Sequence, residues 1–257
     1  MKIGFFDSGL GGLTILKATR ELLPQYDYLY FGDTANLPYG DKTEEEIYEF
    51  TSSAVRRLFD EGAILVIVAC NTASAESVRK LQATMLVDEY ANRKVLGVII
   101  PTVEALVECG AQNVLLIGTR RTVSSGKYEK ELKKISSQIK LTSHATPKLV
   151  PFIESGNISG ACTTLEITLQ GEVGEEIDTI VLGCTHYTLL KDNVRSLYRK
   201  RVISQDEIIP VKIQTYLEKH TEIKSTHSLG GTITVVVSRE DARYEKILNE
   251  YRTNTRE

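Results

Sequence analysis

The sequence predicts a doubly wound α/β fold built on parallel sheets, and three observations predict it. Short apolar runs rich in Val, Ile and Leu recur along the chain, amphipathic stretches of helical period fill the gaps, and several runs end in a loop that opens onto the next helix. Continuous rather than alternating apolar runs are how strands covered on both faces read. Strand and helix alternate through nearly the whole length, as crossover-connected parallel sheets require.

The elements follow in order. KIGFFD (2–7) reads as the first strand, then a helix near 12–23 and a second strand, YLYFG (28–32). The helix over 44–61 is the clearest, because Thr43 and Glu46 have capping-box spacing and Ile47, Phe50, Ala54 and Leu58 share one face. ILVIVAC (64–70), a helix near 73–91, VLGVII (95–100), a helix near 102–110 and NVLLIG (113–118) come next. A helix near 122–137, the strand DTIVLGC (178–184) and helices near 187–200, 211–220 and 239–251 complete the pattern. Two strand ends are alike: one runs into Ala-Cys-Asn-Thr at 69–72, the other into Gly-Cys-Thr-His at 183–186. That repetition predicts pseudo-symmetric lobes facing one another across a cleft, with no low-complexity linker between them.

Composition excludes several classes of function. Of 257 residues, 42% are apolar, which places the chain among globular proteins rather than disordered ones. Lys and Arg total 31 against 34 Asp and Glu, and no block of five or six like charges occurs, so a sequence-independent nucleic-acid binder is not expected. The longest apolar run, Ala63 to Cys70, is too short to span a bilayer, and MKIGFFDSG lacks the pattern of a signal peptide, so a cytoplasmic location is expected. The four cysteines, at 70, 109, 162 and 184, form no C-x-x-C pair, so neither a disulfide scaffold nor a zinc site is expected.

The chemistry concentrates in three loops. DSGLGGLT (7–14) is glycine-rich and leads from strand to helix, so its backbone N–H groups are suited to an anion. Its glycines fail the dinucleotide fingerprint, since the last position of G-x-G-x-x-G falls on Thr14, and a tight turn is the plainer use for Gly9, Gly11 and Gly12. Asp7 and Ser8 add to the functional case, because an acid at the end of a buried strand is costly without a partner or a task. Cys70, before Asn71 and Thr72, precedes a helix start, where the dipole is expected to favour the thiolate, although cysteine is also a common core residue. Cys184-Thr185-His186 joins a thiol, a hydroxyl and an imidazole on one turn. Cys109 and Cys162 read as structural members of helices.

Three mechanisms use cysteine and histidine in this way. A Cys-His hydrolase leaves the second cysteine loop without a role. A thiol redox switch needs the two sulfurs within bonding distance. Proton transfer at carbon needs a base on each face of one atom, which two thiols from facing lobes supply. No lysine lies near either cysteine loop or DSGLGG to anchor pyridoxal phosphate.

Together FDSGLGGLT (6–14), YFGDTANLPYGDKT (30–43), ACNTASA (69–75) and VLGCTHYTLL (181–190) resemble the aspartate/glutamate racemase family, in particular its cofactor-independent glutamate racemases. Shorter matches at IGTRRTVSSGKY (117–128) and LVPFIESG (149–156) keep the family order. The resemblance implies two α/β lobes with the site in the cleft between them, residues 1–97 with 207–257 forming the first and 98–206 the second. It implies racemisation of L- and D-glutamate by two-base proton transfer at Cα, without a cofactor or a metal, supplying D-glutamate for bacterial cell-wall peptidoglycan. Carried over by motif, Cys70 and Cys184 are the two bases, Asp7 assists Cys70, His186 assists Cys184, and Glu154 in LVPFIESG matches a third helper. Asp7, Ser8, Tyr39, Gly40, Asn71, Thr72, Thr119, Thr185 and His186 hold the substrate in the same scheme.

Related readings are a racemase for aspartate and a regulatory protein that kept the fold without turnover. The expected partner is the small-molecule substrate, glutamate, with no nucleic acid or membrane, and a homodimer is the assembly to consider. The chain departs from the family pattern at Ile100, Thr102, Thr188 and Ile209-Pro210-Val211.

Overall fold

The computed structural model describes residues 2–224 and 230–252. The parts of the expected first lobe at residues 1, 225–229 and 253–257 lie outside it. In chain order the elements are β1 (Lys2–Asp7), α1 (Leu13–Leu22), β2 (Tyr28–Gly32), α2 (Glu44–Asp60), β3 (Ala63–Val68), α3 (Asn71–Ala83), α4 (Met85–Asp88) and β4 (Lys94–Gly97). Then follow α5 (Ile99–Glu108), β5 (Asn113–Gly118), α6 (Arg120–Ser124), α7 (Lys127–Ile135), β6 (Lys140–Ala145), α8 (Leu149–Glu154), α9 (Ile158–Thr168) and β7 (Thr179–Gly183). The last are α10 (Lys191–Tyr198), β8 (Arg201–Ile203), α11 (Gln205–Lys219), α12 (Thr221–Lys224), β9 (Ile233–Val237) and α13 (Glu245–Arg252).

Two parallel sheets result, ordered β4-β3-β1-β2-β9 and β6-β5-β7-β8. In the first, β1 lies between β2 and β3, and in the second β5 lies between β6 and β7. The two sheets therefore repeat one order, with a fifth strand added to the first. In such sheets the crevice opens where the strand order reverses, at the carboxyl ends of the two strands flanking that point. Here those strands are β1 and β3 in one lobe and β5 and β7 in the other.

Each sheet is covered on both faces, which is why its strands read as unbroken apolar runs. Ile3 and Phe5 of β1 pack with α1, α11 and Leu248 of α13, while Phe6 packs with α2 and α3. Leu115 and Ile117 of β5 pack with α8 and α9, and Val114 and Leu116 with α5 and α7. The Thr43–Glu46 capping box at the start of α2 is present, with Glu46 N–H donating to Thr43 Oγ1 and the Glu46 carboxylate accepting from Thr43 N–H.

Several boundaries differ from expectation. The run VLGVII splits at Val98, where the chain turns into α5. Pro101 fits there because the first-turn N–H groups of a helix have no partner within it. Pro210 lies inside α11, which starts at Gln205, well before the residue 211 expected. The expected helix at 122–137 breaks at Gly126, which has a positive φ of 61°. The helix expected near 187–200 begins as a 3-10 turn over Thr185–Leu190 before α10, and the one near 239–251 is a 3-10 turn followed by α13. Cys162 lies in α9, while Cys109 is the residue just after α5.

Candidate active site

The cleft is built at the carboxyl ends of both sheets. A cavity of about 420 Å3 there is lined by Ser8, Tyr39, Gly40, Cys70, Asn71, Thr72, Thr119, Glu154, Cys184, Thr185 and His186, among others. That volume is in the range of small-molecule sites. Eleven of the twelve residues singled out from the sequence thus meet around one space, and the twelfth, Asp7, lies fully buried behind them.

On the first lobe, Cys70 caps α3, and its sulfur accepts from Ala73 N–H at 3.5 Å while its thiol donates to Ser8 Oγ at 3.4 Å. The expectation that the helix start lowers this thiol does not hold. Burial and the nearby Asp7 carboxylate outweigh those two contacts and push Cys70 up to about 12. Asp7 ends β1 and accepts from Gly12 N–H at 3.0 Å. The helix start suggested as an anion site thus holds a carboxylate of the chain itself. Burial pushes Asp7 up, while the charge of His186 and the bonds from Gly12, Gly9 and Thr185 pull it down by less.

On the second lobe, Cys184 follows β7 directly, and the turn of Thr185–Leu190 brings His186 Nδ1 to 3.8 Å from its sulfur. His186 Nε2 lies 2.7 Å from Glu154 Oε1 at the end of α8. Burial disfavours the imidazolium, but hydrogen bonds to Cys184 and Glu154 and their charges more than offset it, so His186 is held well above its usual value. Thr185 reaches the other way, donating across the cleft to Asp7 at 3.3 and 3.4 Å.

The remaining candidates fall into two groups. Thr72 and Thr119, one from each lobe, bring their hydroxyls to 2.9 Å of one another, and Thr119 also caps α6. Gly40 sits against Thr119, where a Cβ would come within 3.0 Å of the Thr119 Cβ. Tyr39 and Asn71 line the cavity with their polar side-chain atoms already engaged. Tyr39 donates to Asp33 Oδ2 at 2.7 Å, and the Asn71 amide bonds Gln205 and Tyr128 at 2.6 to 3.0 Å.

Gln205 and Tyr244 escaped the sequence reading because they stand in no motif, and Tyr128, though it ends the match at 117–128, was not singled out. Tyr244 donates to Glu154 Oε2. Among the described residues lining the cavity none is lysine, and no cluster of His, Cys, Asp or Glu has metal-binding geometry.

The family model for Asp/Glu/Hydantoin racemase matches residues 14–208, about three quarters of the chain. This chain belongs to that racemase family. It is 35% identical over 243 residues to a glutamate racemase of Roseobacter denitrificans, covering 89% of each sequence. A crystal structure of a glutamate racemase isoform from Bacillus anthracis superposes with a TM-score of 0.87 at 30% identity, over 98% of this chain and 94% of that one. The glutamate racemase of Francisella tularensis, solved in complex with D-glutamate, gives a TM-score of 0.85 at 27% identity over 97% and 92%. The two-lobed α/β racemase fold is therefore that of the family. Two of the family departures have local explanations here: Ile209 is buried in the first-lobe core, and the buried Thr102 hydroxyl donates to Val98 O at 2.6 Å.

Proposed function

We propose that this chain is a glutamate racemase that moves the Cα proton between two thiols, Cys70 on one face of the substrate and Cys184 on the other. The observation that carries this reading is that both thiols open onto one cavity from matching strand ends of two facing sheets. They are near enough for charge on Cys184 to oppose ionisation of Cys70.

Two-base racemisation needs one sulfur as thiolate and the other as thiol, so two like residues must be held in unlike states. Burial and Asp7 keep Cys70 protonated, whereas Cys184 faces an imidazole that keeps its own proton. With the L-enantiomer, Cys184 is the base and Cys70 the acid. Cys184 takes the Cα proton, the electron pair of the C–H bond passes toward the α-carboxylate, and Cys70 returns a proton to the opposite face. For D-glutamate the roles reverse, and the positive charge of the bound α-ammonium favours the thiolate that Cys70 then needs.

The hydroxyls of Ser8, Thr72, Thr119 and Thr185 and the backbone at Gly40 provide donors for the two carboxylates, where negative charge accumulates as the proton leaves. Tyr39 and Asn71 support the walls, since their polar atoms are occupied. None of the described residues lining the cavity is a lysine that could form a Schiff base. The lobes divide as residues 1–97 with 207–257 and 98–206. Sheet membership supports this, as does the packing of α11 against α1.

All four cysteines are free thiols, which suits a reducing cytoplasm, and no described helix is long and apolar enough to cross a membrane. A homodimer is compatible with this reading, because one chain carries every residue the reaction uses. Its product is the enantiomer that bacterial peptidoglycan incorporates.

A circular-dichroism assay with D-glutamate tests the proposal. The protein should lose the signal to the racemic value without added cofactor, and Cys70→Ser and Cys184→Ser should each slow it by roughly 10³-fold. Wild-type rates in either variant would rule out the two-thiol assignment. Turnover of aspartate but not glutamate would favour the aspartate reading.

A further inference from the structure

Tyr244, just before α13, is 5% exposed and packs in the core of the first lobe. Its hydroxyl nevertheless crosses to the second lobe and donates to Glu154 Oε2. The other Glu154 oxygen holds His186 Nε2, and His186 Nδ1 faces Cys184. Four side chains thus connect the core of one lobe to the thiol of the other.

The opposite corner of the cleft mirrors this arrangement. Thr185 of the second lobe donates to Asp7, the carboxylate behind Cys70 of the first. Each lobe supplies a hydroxyl to the carboxylate that serves the other lobe's thiol. Close approach of the lobes makes this possible, and at Gly11 it leaves no room for a side chain, since a Cβ would lie 2.6 Å from Thr185 Oγ1.

We propose that Tyr244 is a positioning residue for the Cys184 half of the reaction, fixing the Glu154 carboxylate that orients His186. Because it comes from the opposite lobe, the relay behind Cys184 is complete only when the cleft is closed. Second-sphere donors of this kind set the ring orientation and tautomer of a histidine. Tyr244 also borders the cavity, so a role in gripping substrate has to be separated from one that acts through Glu154. This inference rests on the two-thiol reading above.

Elimination from β-chloroalanine separates them, because it uses one base only. The thiolate removes the Cα proton, the C–H electron pair becomes the Cα–Cβ double bond, and chloride leaves with its own pair. The 2-aminoacrylate released hydrolyses to pyruvate and ammonia, which are readily measured. In Tyr244→Phe, which keeps the ring, pyruvate release from the L-enantiomer should fall about tenfold, the loss expected for one hydrogen bond to a charged group. Release from the D-enantiomer should stay within about twofold of wild type.

Racemisation kcat/KM should fall about tenfold in both directions together, since the two enantiomers have equal free energy and the Haldane relation ties the directions. Equal loss with both enantiomers of β-chloroalanine, or no loss with either, would overturn the assignment. Cys184→Ser provides the separate control, and it should abolish elimination from the L-enantiomer. If it does not, the two-thiol reading itself fails and the role of Tyr244 falls with it.

Discussion

Asp7, proposed above to assist Cys70, shows what such a group costs the fold. It ends β1 without solvent contact, and burial raises its carboxyl despite the bonds from Gly12 and Thr185. A folded-state value above the unfolded one means that folding disfavours the ionised group. The penalty is absent below the unfolded carboxylate range and grows as pH rises through it. Asp7→Asn keeps an oxygen for Gly12 N–H and removes the charge. It should therefore raise Tm by roughly 2–4 °C at pH 8, with the gain shrinking toward zero as pH falls to about 4, while racemisation is lost. Differential scanning calorimetry across that range checks it, and a variant less stable than wild type at pH 8 would contradict it. Asp7 was legible in the sequence because a strand end bearing an acid stands out locally. Tyr244 and Gln205 were not, since their partners Glu154 and Asn71 lie 90 and 134 positions away, and no local spacing encodes such contacts.

At the scale of elements, α3, α7 and α11 meet in a buried polar junction. Asn71 at the start of α3 accepts from Tyr128 of α7 at 2.6 Å and exchanges two hydrogen bonds with Gln205 of α11 at 3.0 and 2.9 Å. Gln205 also donates to Tyr128 Oη at 3.0 Å, so the three groups satisfy one another. Removing one leaves buried partners unmet. Asn71→Ala should cost about 2 kcal/mol in urea unfolding and Tyr128→Phe about 1 kcal/mol. The double variant should differ from their sum by at least about 0.5 kcal/mol. Strict additivity would show that the junction does not act as a unit.

The elements that read well, β1, β2, β5 and β7, are inner strands with both faces covered. Those that did not read lack this signal. β6 is an edge strand, KLTSHA, mostly exposed or half-buried, and β8 has only three residues. α8 carries Pro151, and α9 is rich in Thr and Ile, which blur helical periodicity.

Across the whole molecule, the repeated strand order explains why the cleft was readable at all. Each sheet reverses its order once, and the third strand of each ends at a cysteine, Cys70 two residues after β3 and Cys184 directly after β7. Two loops of similar sequence therefore announced two lobes before any contact between them was known. How the lobes lock together was not announced, because Thr185 on Asp7, Tyr244 on Glu154 and Thr72 against Thr119 join segments with no shared pattern.

In the proposed mechanism two thiols on opposite faces of Cα exchange the proton with solvent between turnovers. Racemisation of unlabelled L- or D-glutamate in deuterated water, followed by chiral separation and mass spectrometry at low conversion, tests it directly. The returning thiol has equilibrated with solvent, so the newly formed enantiomer should carry deuterium at Cα while the unreacted enantiomer keeps hydrogen. Early product that retains the hydrogen of its substrate would mean that a single base carries the proton across, and the two-thiol account would be wrong.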